Sequence, residues 1–287
     1  LLIKASTKFI PVTLVTMVIG FFAVGGMGML LGKGFAHSVM YVSMPMMAGG
    51  MGAGITPLSQ IYASGLAHGS QAAIFSQLAP AVTFGNIMAI IGALSISKVF
   101  ANTKYNGHGT LISATKEELE RPKIKLDAQR IGVGMLFAFT LLMVGCLLNN
   151  FFPKVHEYAF MIIIVFIIKA TNTVPKQLEE SVIMFNEVVM TNLTHAVLAG
   201  IGLALIDLKT LASALTWQFV ILCLTSVVAM GLASWFLGKI LGMYPVETAI
   251  GAGMINNSMG GTGNIAVLSA SDRMEMIAFA QMGNRLC

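Results

Sequence analysis

The chain has 287 residues, 56% hydrophobic and 10% charged, with a mean hydropathy of +0.82. Soluble domains carry about 25% charged residues, so the composition excludes an ordinary soluble enzyme or binding module and points to an all-α polytopic membrane protein. The net charge is +5, and seven of the seventeen Lys and Arg fall between Lys98 and Arg130, interleaved with Glu117, Glu118, Glu120 and Asp127; that mixture excludes a basic face for nucleic acid.

Leu1 is not an initiator Met, so the sequence reads as part of a longer chain. The apolar run 10–31 is too long for the core of a signal peptide and reads as a first membrane helix. Runs 72–100, 131–152, 158–168 and 211–241 read as further spans, 158–168 being short, and 193–206 as a sixth. Segment 175–190 carries Lys176, Glu179, Glu180 and Glu187 at helical spacing and predicts an interfacial amphipathic helix. The polar stretch 101–130 is rich in Lys and Arg, which marks a cytoplasmic loop. It separates a first portion, 1–100, from a second, 131–287. A final helix pattern opens near Met274 and stops at Cys287. Cys146 and Cys223 lie in apolar runs and read as small core residues. No spacing fits a zinc site or a disulfide framework. Gly20, Gly25 and Gly26 read as close helix packing.

Two apolar stretches cannot be simple helices. Residues 39–63 contain Pro45, Gly49, Gly50, Gly52, Gly54 and Pro57. Residues 245–270 contain Gly251, Gly253, Asn256, Asn257, Gly260, Gly261 and Gly263. Each glycine costs a helix about 1 kcal/mol and each proline about 3. A break at mid-span frees backbone groups that lipid cannot satisfy, so it must be buried in protein or line a wet cavity. The expected form is a re-entrant helical hairpin over 35–63 and another over 245–270. The two stretches share a glycine tip, Gly49-Gly50-Met51-Gly52 and Gly260-Gly261-Thr262-Gly263. Each follows a span ending in Gly-Lys, at Gly32-Lys33 and Gly238-Lys239, and precedes a Gly-Asn pair, at Gly85-Asn86 and Gly283-Asn284. Paired interruptions in two halves point to a transporter binding site, commonly in inverted repeats that bring the tips together.

A glycine tip exposes N–H groups suited to carboxylate oxygens and carbonyls suited to a hard cation, and half-helix ends add dipoles of either sign. Arg285 follows an apolar helix start. A membrane Arg costs roughly 2.5–3.5 kcal/mol on insertion scales and persists where it has a partner; a bound carboxylate meets that need bidentately. Asp272, Arg273 and Glu275 read as an interfacial cluster, Glu247 as a half-helix cap, and Lys169 as an anchor. His37, His68, His108 and His156 read as solvated or capping, with His195 nearer an apolar span. Asp127, Asp207 and Asp272 lie outside span centres, which argues against a membrane aspartyl protease, and Ser258 with His195 has no hydrolase motif around it. A passive channel is a further option, the alternative of a different class, though a channel gains nothing evident from two unlike hairpins.

The run from Met44 to Ser59, centred on Gly49-Gly50-Met51-Gly52, resembles the first GGxG hairpin of the bacterial 2-hydroxycarboxylate transporters. Met243-Tyr244-Pro245-Val246-Glu247, Gly260-Gly261-Thr262-Gly263 and Ala280-Gln281 leading to Arg285 resemble the second hairpin and the helix after it. The resemblance implies a multi-pass homodimer of the bacterial cytoplasmic membrane and no enzymatic activity. It implies a mobile core holding both hairpins and a more static dimerisation part. It implies carboxylate binding at Gly49, Gly50, Met51, Gly52, Gly260, Gly261, Thr262, Gly263 and Arg285, with Asn256, Asn257, Ser258 and Asn284 as candidate ligands of a coupling sodium; no other cofactor is expected. Citrate-type members carry Asn where this chain has Met51 and Arg where it has Met259, which favours malate. The expected activity is malate transport by symport with sodium or protons; exchange of malate or citrate against lactate is the alternative within the family.

Overall fold

A computed structural model describes residues 2–66, 69–112, 127–152, 157–171, 173–193, 196 and 215–284. Every regular element among them is helical. Four helices are long and apolar enough to cross a membrane: Thr7–Leu30, Gln71–Val99, Ala128–Phe151 and Trp217–Ile240. The chain divides into two compact units, Leu1–Glu120 with Ile201–Cys287, and Arg121–Gly200. The expected span over 193–206 and His195 lie outside the described residues, apart from Leu193 and Ala196.

The first unit holds α1 (Leu2–Leu30), α2 (Gln71–Val99) and, later in the chain, a long helix over Trp217–Ile240. The smaller unit holds α3 (Ala128–Phe151), α4 (Glu157–Thr171) and α5 (Lys176–Val188). In chain order the Trp217–Ile240 helix is therefore α6, and Ile277–Asn284 is α7. Side-chain caps start three of them: Ser70 accepts from Ala73 N–H, Asp127 from Gln129 N–H and Thr216 from Phe219 N–H, each satisfying one orphan donor of a first turn.

In the smaller unit, Gly134 of α3 lets the Ser181 carbonyl of α5 come within 2.1 Å of where a Cβ would lie. The amphipathic helix α5 thus buries Ser181 and Met184, while Glu180 pairs with Arg130 at 3.1 Å and Glu179 with Lys169. The expected anchor Lys169 is part of an ion pair. α4 has 15 residues, short for a crossing. α3 turns Leu136, Met143, Leu147 and Phe151 outward, as a lipid-facing helix does. Cys146 is exposed on that helix rather than in a core; Cys223 of α6 is buried.

In the larger unit α1 and α6 run antiparallel. Lys8 donates to the Leu241 carbonyl at 2.9 Å, and mid-helix Gly20 would place a Cβ 2.8 Å from Met230 Cγ. Both helices end in the same local structure. Gly32 and Gly242 take φ of 73° and 70°. Lys33 N–H returns to Gly28 O at 2.9 Å, as Met243 N–H does to Gly238 O at 2.9 Å. This is a glycine-closed helix end with its carbonyls satisfied. The chain then turns back to lie close to the helix it left: a Cβ on Gly28 would lie 1.9 Å from Ser38 Oγ, and one on Gly238 2.0 Å from Thr248 Oγ1. Ser38 Oγ donates to Gly34 O and Thr248 Oγ1 sits 3.2 Å from Tyr244 O. The recurrence keeps one constant offset, Gly28 with Gly238 and Gly32 with Gly242, so the Gly-Lys pairs noted in the sequence are not the equivalent positions.

Glycines on α1 separate into seats and free positions. A Cβ on Gly25 would meet the Phe35 ring at 2.3 Å, whereas Gly26 has nothing within 4 Å. Gly26 is therefore not a packing glycine. Gly26→Ala is expected to leave thermal stability in detergent unchanged or raise it by up to about 1 kcal/mol, the helix-propensity gain. Gly25→Ala, one residue away, is expected to lower it by roughly 1–3 kcal/mol through overpacking. Equal effects at the two positions would contradict the seat.

Candidate functional site

Each interrupted stretch is a helical arm, a glycine turn and a second helical arm. The first runs from Phe35 through Met47, turns at residues 48–50 and continues from Met51 to Leu66. The second runs from Pro245 through Asn257, turns at residues 258–260 and continues over Gly261–Ala270. Gly49 and Gly50 take φ of 81° and 108°, and Gly260 takes 75°, a region where only glycine is comfortable. The arms leaving the turns start alike: Gly54 N–H bonds Gly50 O at 3.1 Å and Asn264 N–H bonds Gly260 O at 2.7 Å. The turn glycines in register are Gly50 and Gly260, one step away from the GGxG-on-GGxG match, at the offset already seen for Gly28 and Gly238.

The two turns meet. A Cβ on Gly50 would lie 2.4 Å from Met259 O, and a Cβ on Gly260 would lie 2.1 Å from Gly49 O. The contact is reciprocal, each turn glycine facing the carbonyl before the other. Any side chain at either position would force the turns apart. Neither leaving arm has a side-chain cap at its N-terminus. The N–H groups of residues 51–53 and 261–263 precede the first intrahelical bonds, so two helix N-termini with unclaimed donors converge on one junction. That arrangement favours an anion. Gly49, Gly50, Met51, Gly52, Gly260, Gly261, Thr262 and Gly263 thus lie at or beside one place. Arg285 lies outside the described residues, as does the Asn284 side chain.

The second turn is flanked by buried polar groups. Asn256, Asn257, Ser258 and Asn264 have no exposure. Asn257 Nδ2 donates to Gly253 O at 3.0 Å, and Asn257 Oδ1 accepts from Ser226 Oγ at 2.6 Å. Ser258 Oγ lies 2.7 Å from Ile255 O and 2.8 Å from Asn264 Oδ1, and its one proton serves one of them. Asn256 Nδ2 donates to Ala252 O, but Asn256 Oδ1 has no partner among the described residues; it lies 3.3 Å from where a Gly283 Cβ would sit on α7. The equivalent positions before the first turn are Met46, Met47 and Ala48, so oxygens gather at one turn only. Of the four candidate sodium ligands, Asn256, Asn257 and Ser258 are brought together here.

The base of the second stretch holds a buried ion pair. Glu247 is 0% and Arg273 3% exposed, with Arg273 Nε 3.1 Å from Glu247 Oε1. The carboxylate also accepts from Gly107 N–H at 2.8 Å and Gly109 N–H at 3.3 Å. The guanidinium donates to Ser97 Oγ at 2.6 Å, Asn106 Oδ1 at 2.9 Å and the Ser271 carbonyl. Glu247 caps no helix, and Arg273 does not belong with the exposed Asp272 and Glu275 at an interface; the two are each other's counter-charge. A signal was available: they are opposite charges at the two ends of one apolar stretch, where an intramembrane charge needs a partner. The pair ties the start and end of that stretch to the end of α2 and the loop after it.

The model of the 2-hydroxycarboxylate transporter family matches residues 1–287. The chain is 83% identical over 287 residues to "Malate transporter MleP" of Lactococcus lactis subsp. lactis (strain IL1403), covering 100% of this chain and 68% of that protein. It is 50% identical over 287 residues to "Citrate transporter CitP" of Lactococcus lactis subsp. lactis, covering 100% and 65%. It is 36% identical over 282 residues to the "Na(+)-malate symporter" of Bacillus subtilis (strain 168), covering 95% and 62%. The chain therefore spans about two thirds of the length of these relatives.

Removing one member of a buried pair leaves an uncompensated charge, at a cost of about 3–5 kcal/mol. Arg273→Ala is expected to collapse thermal stability in detergent. The double variant Arg273→Met, Glu247→Met is expected to lose clearly less than the two single changes added together. Additive losses would contradict a coupled pair.

Proposed function

This chain belongs to the 2-hydroxycarboxylate transporter family, and from that premise we propose that it forms the substrate- and ion-binding part of a secondary transporter for malate. The family is one of transporters, which removes the enzyme reading, and its place is the bacterial cytoplasmic membrane, crossed several times. The observation that carries the proposal is the meeting of two uncapped helix N-termini at Gly50 and Gly260. On this reading the interrupted stretches are re-entrant hairpins of two inverted repeats. Antiparallel α1 and α6, and reciprocal contact between the turns, support that reading. The N–H donors and Arg285 hold the substrate's carboxylates, and the protein works as a homodimer, as the resemblance implies.

Malate is favoured over citrate because of what surrounds the turns. Met51 and Met259 pack against the same apolar cluster, which includes Ile55, Tyr62 and Phe75. Neither offers a charge to a third carboxylate, whose burial without a partner keeps its desolvation cost. The relative with 83% identity is named for malate.

Moving a dianion into a negative interior is opposed by about 2.3 kcal/mol per charge per 100 mV, and a cotransported cation offsets this. The one-sided cluster of Asn256, Asn257 and Ser258 oxygens, with Asn284, suits sodium; relatives are named for sodium or for protons. The second reading, exchange of malate against lactate, is favoured by one detail: of those described side-chain oxygens, Asn256 Oδ1 alone lacks a hydrogen-bond partner.

Labelled malate uptake by the full-length protein in vesicles tests the proposal. Uptake driven by an imposed sodium gradient supports symport, and uptake unchanged when choline replaces sodium points to protons or exchange. Arg285→Ala is expected to abolish uptake with membrane insertion intact. Unlabelled citrate is expected to compete at least about tenfold more weakly than unlabelled malate, ~1.4 kcal/mol, and Met259→Arg to narrow that gap. Equal competition by the two anions would contradict the role given to the methionines.

A further inference from the structure

One residue touches the junction of the turns without belonging to either. α2 passes beside it at Gly85 and Asn86. A Cβ on Gly85 would lie 2.8 Å from Met46 Cε and 2.9 Å from Asn257 O, so the helix is wedged between the arms of both stretches. Asn86 Oδ1 accepts the Met259 N–H at 3.2 Å, and it lies 2.6 Å from where a Cβ on Gly263 would be. Gly263 is small because the Asn86 amide occupies its side-chain space.

We infer that Asn86 is a substrate-binding residue, its amide nitrogen donating to a carboxylate oxygen of the bound dicarboxylate; the inference rests on the transporter reading above. The orientation of the amide is fixed chemically. A backbone N–H can be met only by the oxygen, so the Met259 bond assigns Oδ1 to the turn and leaves Nδ2 with two protons. Asn86 is half-buried, and no hydrogen bond from Nδ2 is formed among the described residues. The first N–H groups of the two leaving arms, also at the junction, are further donors. Donors converging from three elements, the two leaving arms and α2, suit a ligand rich in acceptors, and a carboxylate is one. Asn86 does two jobs: its oxygen seats the second turn, and its nitrogen reads the substrate.

The two jobs separate in Asn86→Asp. The carboxylate keeps an acceptor for Met259 N–H, but while ionised it has no donor and sets a charge beside the anion. In labelled malate uptake by the full-length transporter, KM is expected to rise at least about tenfold near neutral pH, with unchanged protein in the membrane. Protonating that carboxyl returns a donor and removes the charge, so the deficit relative to the parent at the same pH is expected to shrink as pH falls from about 7.5 to about 5. Asn86→Ser, with one hydroxyl to serve either job, is expected to give an intermediate KM and covers the case in which the Asp variant fails to insert. A parental KM in either variant overturns the inference. A deficit in the Asp variant that is independent of pH assigns Asn86 to seating the turn alone and also overturns it. These outcomes leave the parent reading intact, which fails separately if the unmodified protein takes up no malate.

Discussion

The larger unit depends on the approach of two backbones. Gly50 and Gly260 each stand against the carbonyl that precedes the other, closer than any side chain would allow. Close approach of this kind needs glycine for space and for positive φ, and both conditions hold at both turns. Everything around the junction serves the approach. Gly28 and Gly238 let the entering arms lie against the helices they follow, Gly20 accepts Met47 and Met230, and Gly85 accepts Met46 and the Asn257 carbonyl. Methionine recurs as the partner of these glycines because its flexible, unbranched side chain fills irregular gaps.

The two turns are alike in backbone and unlike in chemistry. The second is preceded by Asn256, Asn257 and Ser258, the first by Met46, Met47 and Ala48. The second stretch is also the one pinned at its base, by Glu247 and Arg273 through Gly107, Gly109, Ser97 and Asn106. At the corresponding base of the first stretch stands His37, exposed and stacked 4.8 Å from Tyr41. One turn therefore combines polar ligands with a fixed frame, while the other combines apolar packing with fewer fixed bonds. On the proposed reading, that division suits ion binding at the second turn and anion binding at both.

Long apolar helices were legible from hydropathy alone, because length and lack of charge decide them: α2 and α3 match the expected spans 72–100 and 131–152 closely, whereas α1 opens at Leu2 rather than 10 and α6 at Trp217 rather than 211. The interruptions were legible because proline and glycine in an apolar run have few other uses. Pairwise detail was not. The GGxG strings invite a match one residue out of register, since letters cannot say which glycine takes positive φ. The Glu247–Arg273 pair was missed because the two residues are distant in sequence and Arg273 sits beside Asp272, which suggests a surface. Cys146 was read as core because a one-dimensional apolar run does not distinguish a lipid-facing side from a protein-facing one. Asn86 was noticed only as half of a Gly-Asn pair; its contact with Met259 depends on how α2 passes the second turn.

Single cysteines at Met51 and Thr262 in the full-length protein test most directly whether the two glycine turns together form the substrate site. The measurement is the rate of modification by a small, membrane-impermeant thiol reagent, with and without malate. If the turns line the site, both cysteines react from the aqueous phase and malate slows both. Inertness of both positions under every substrate and gradient condition, or reaction that malate leaves unchanged, would contradict the account and make the junction a buried structural crossing.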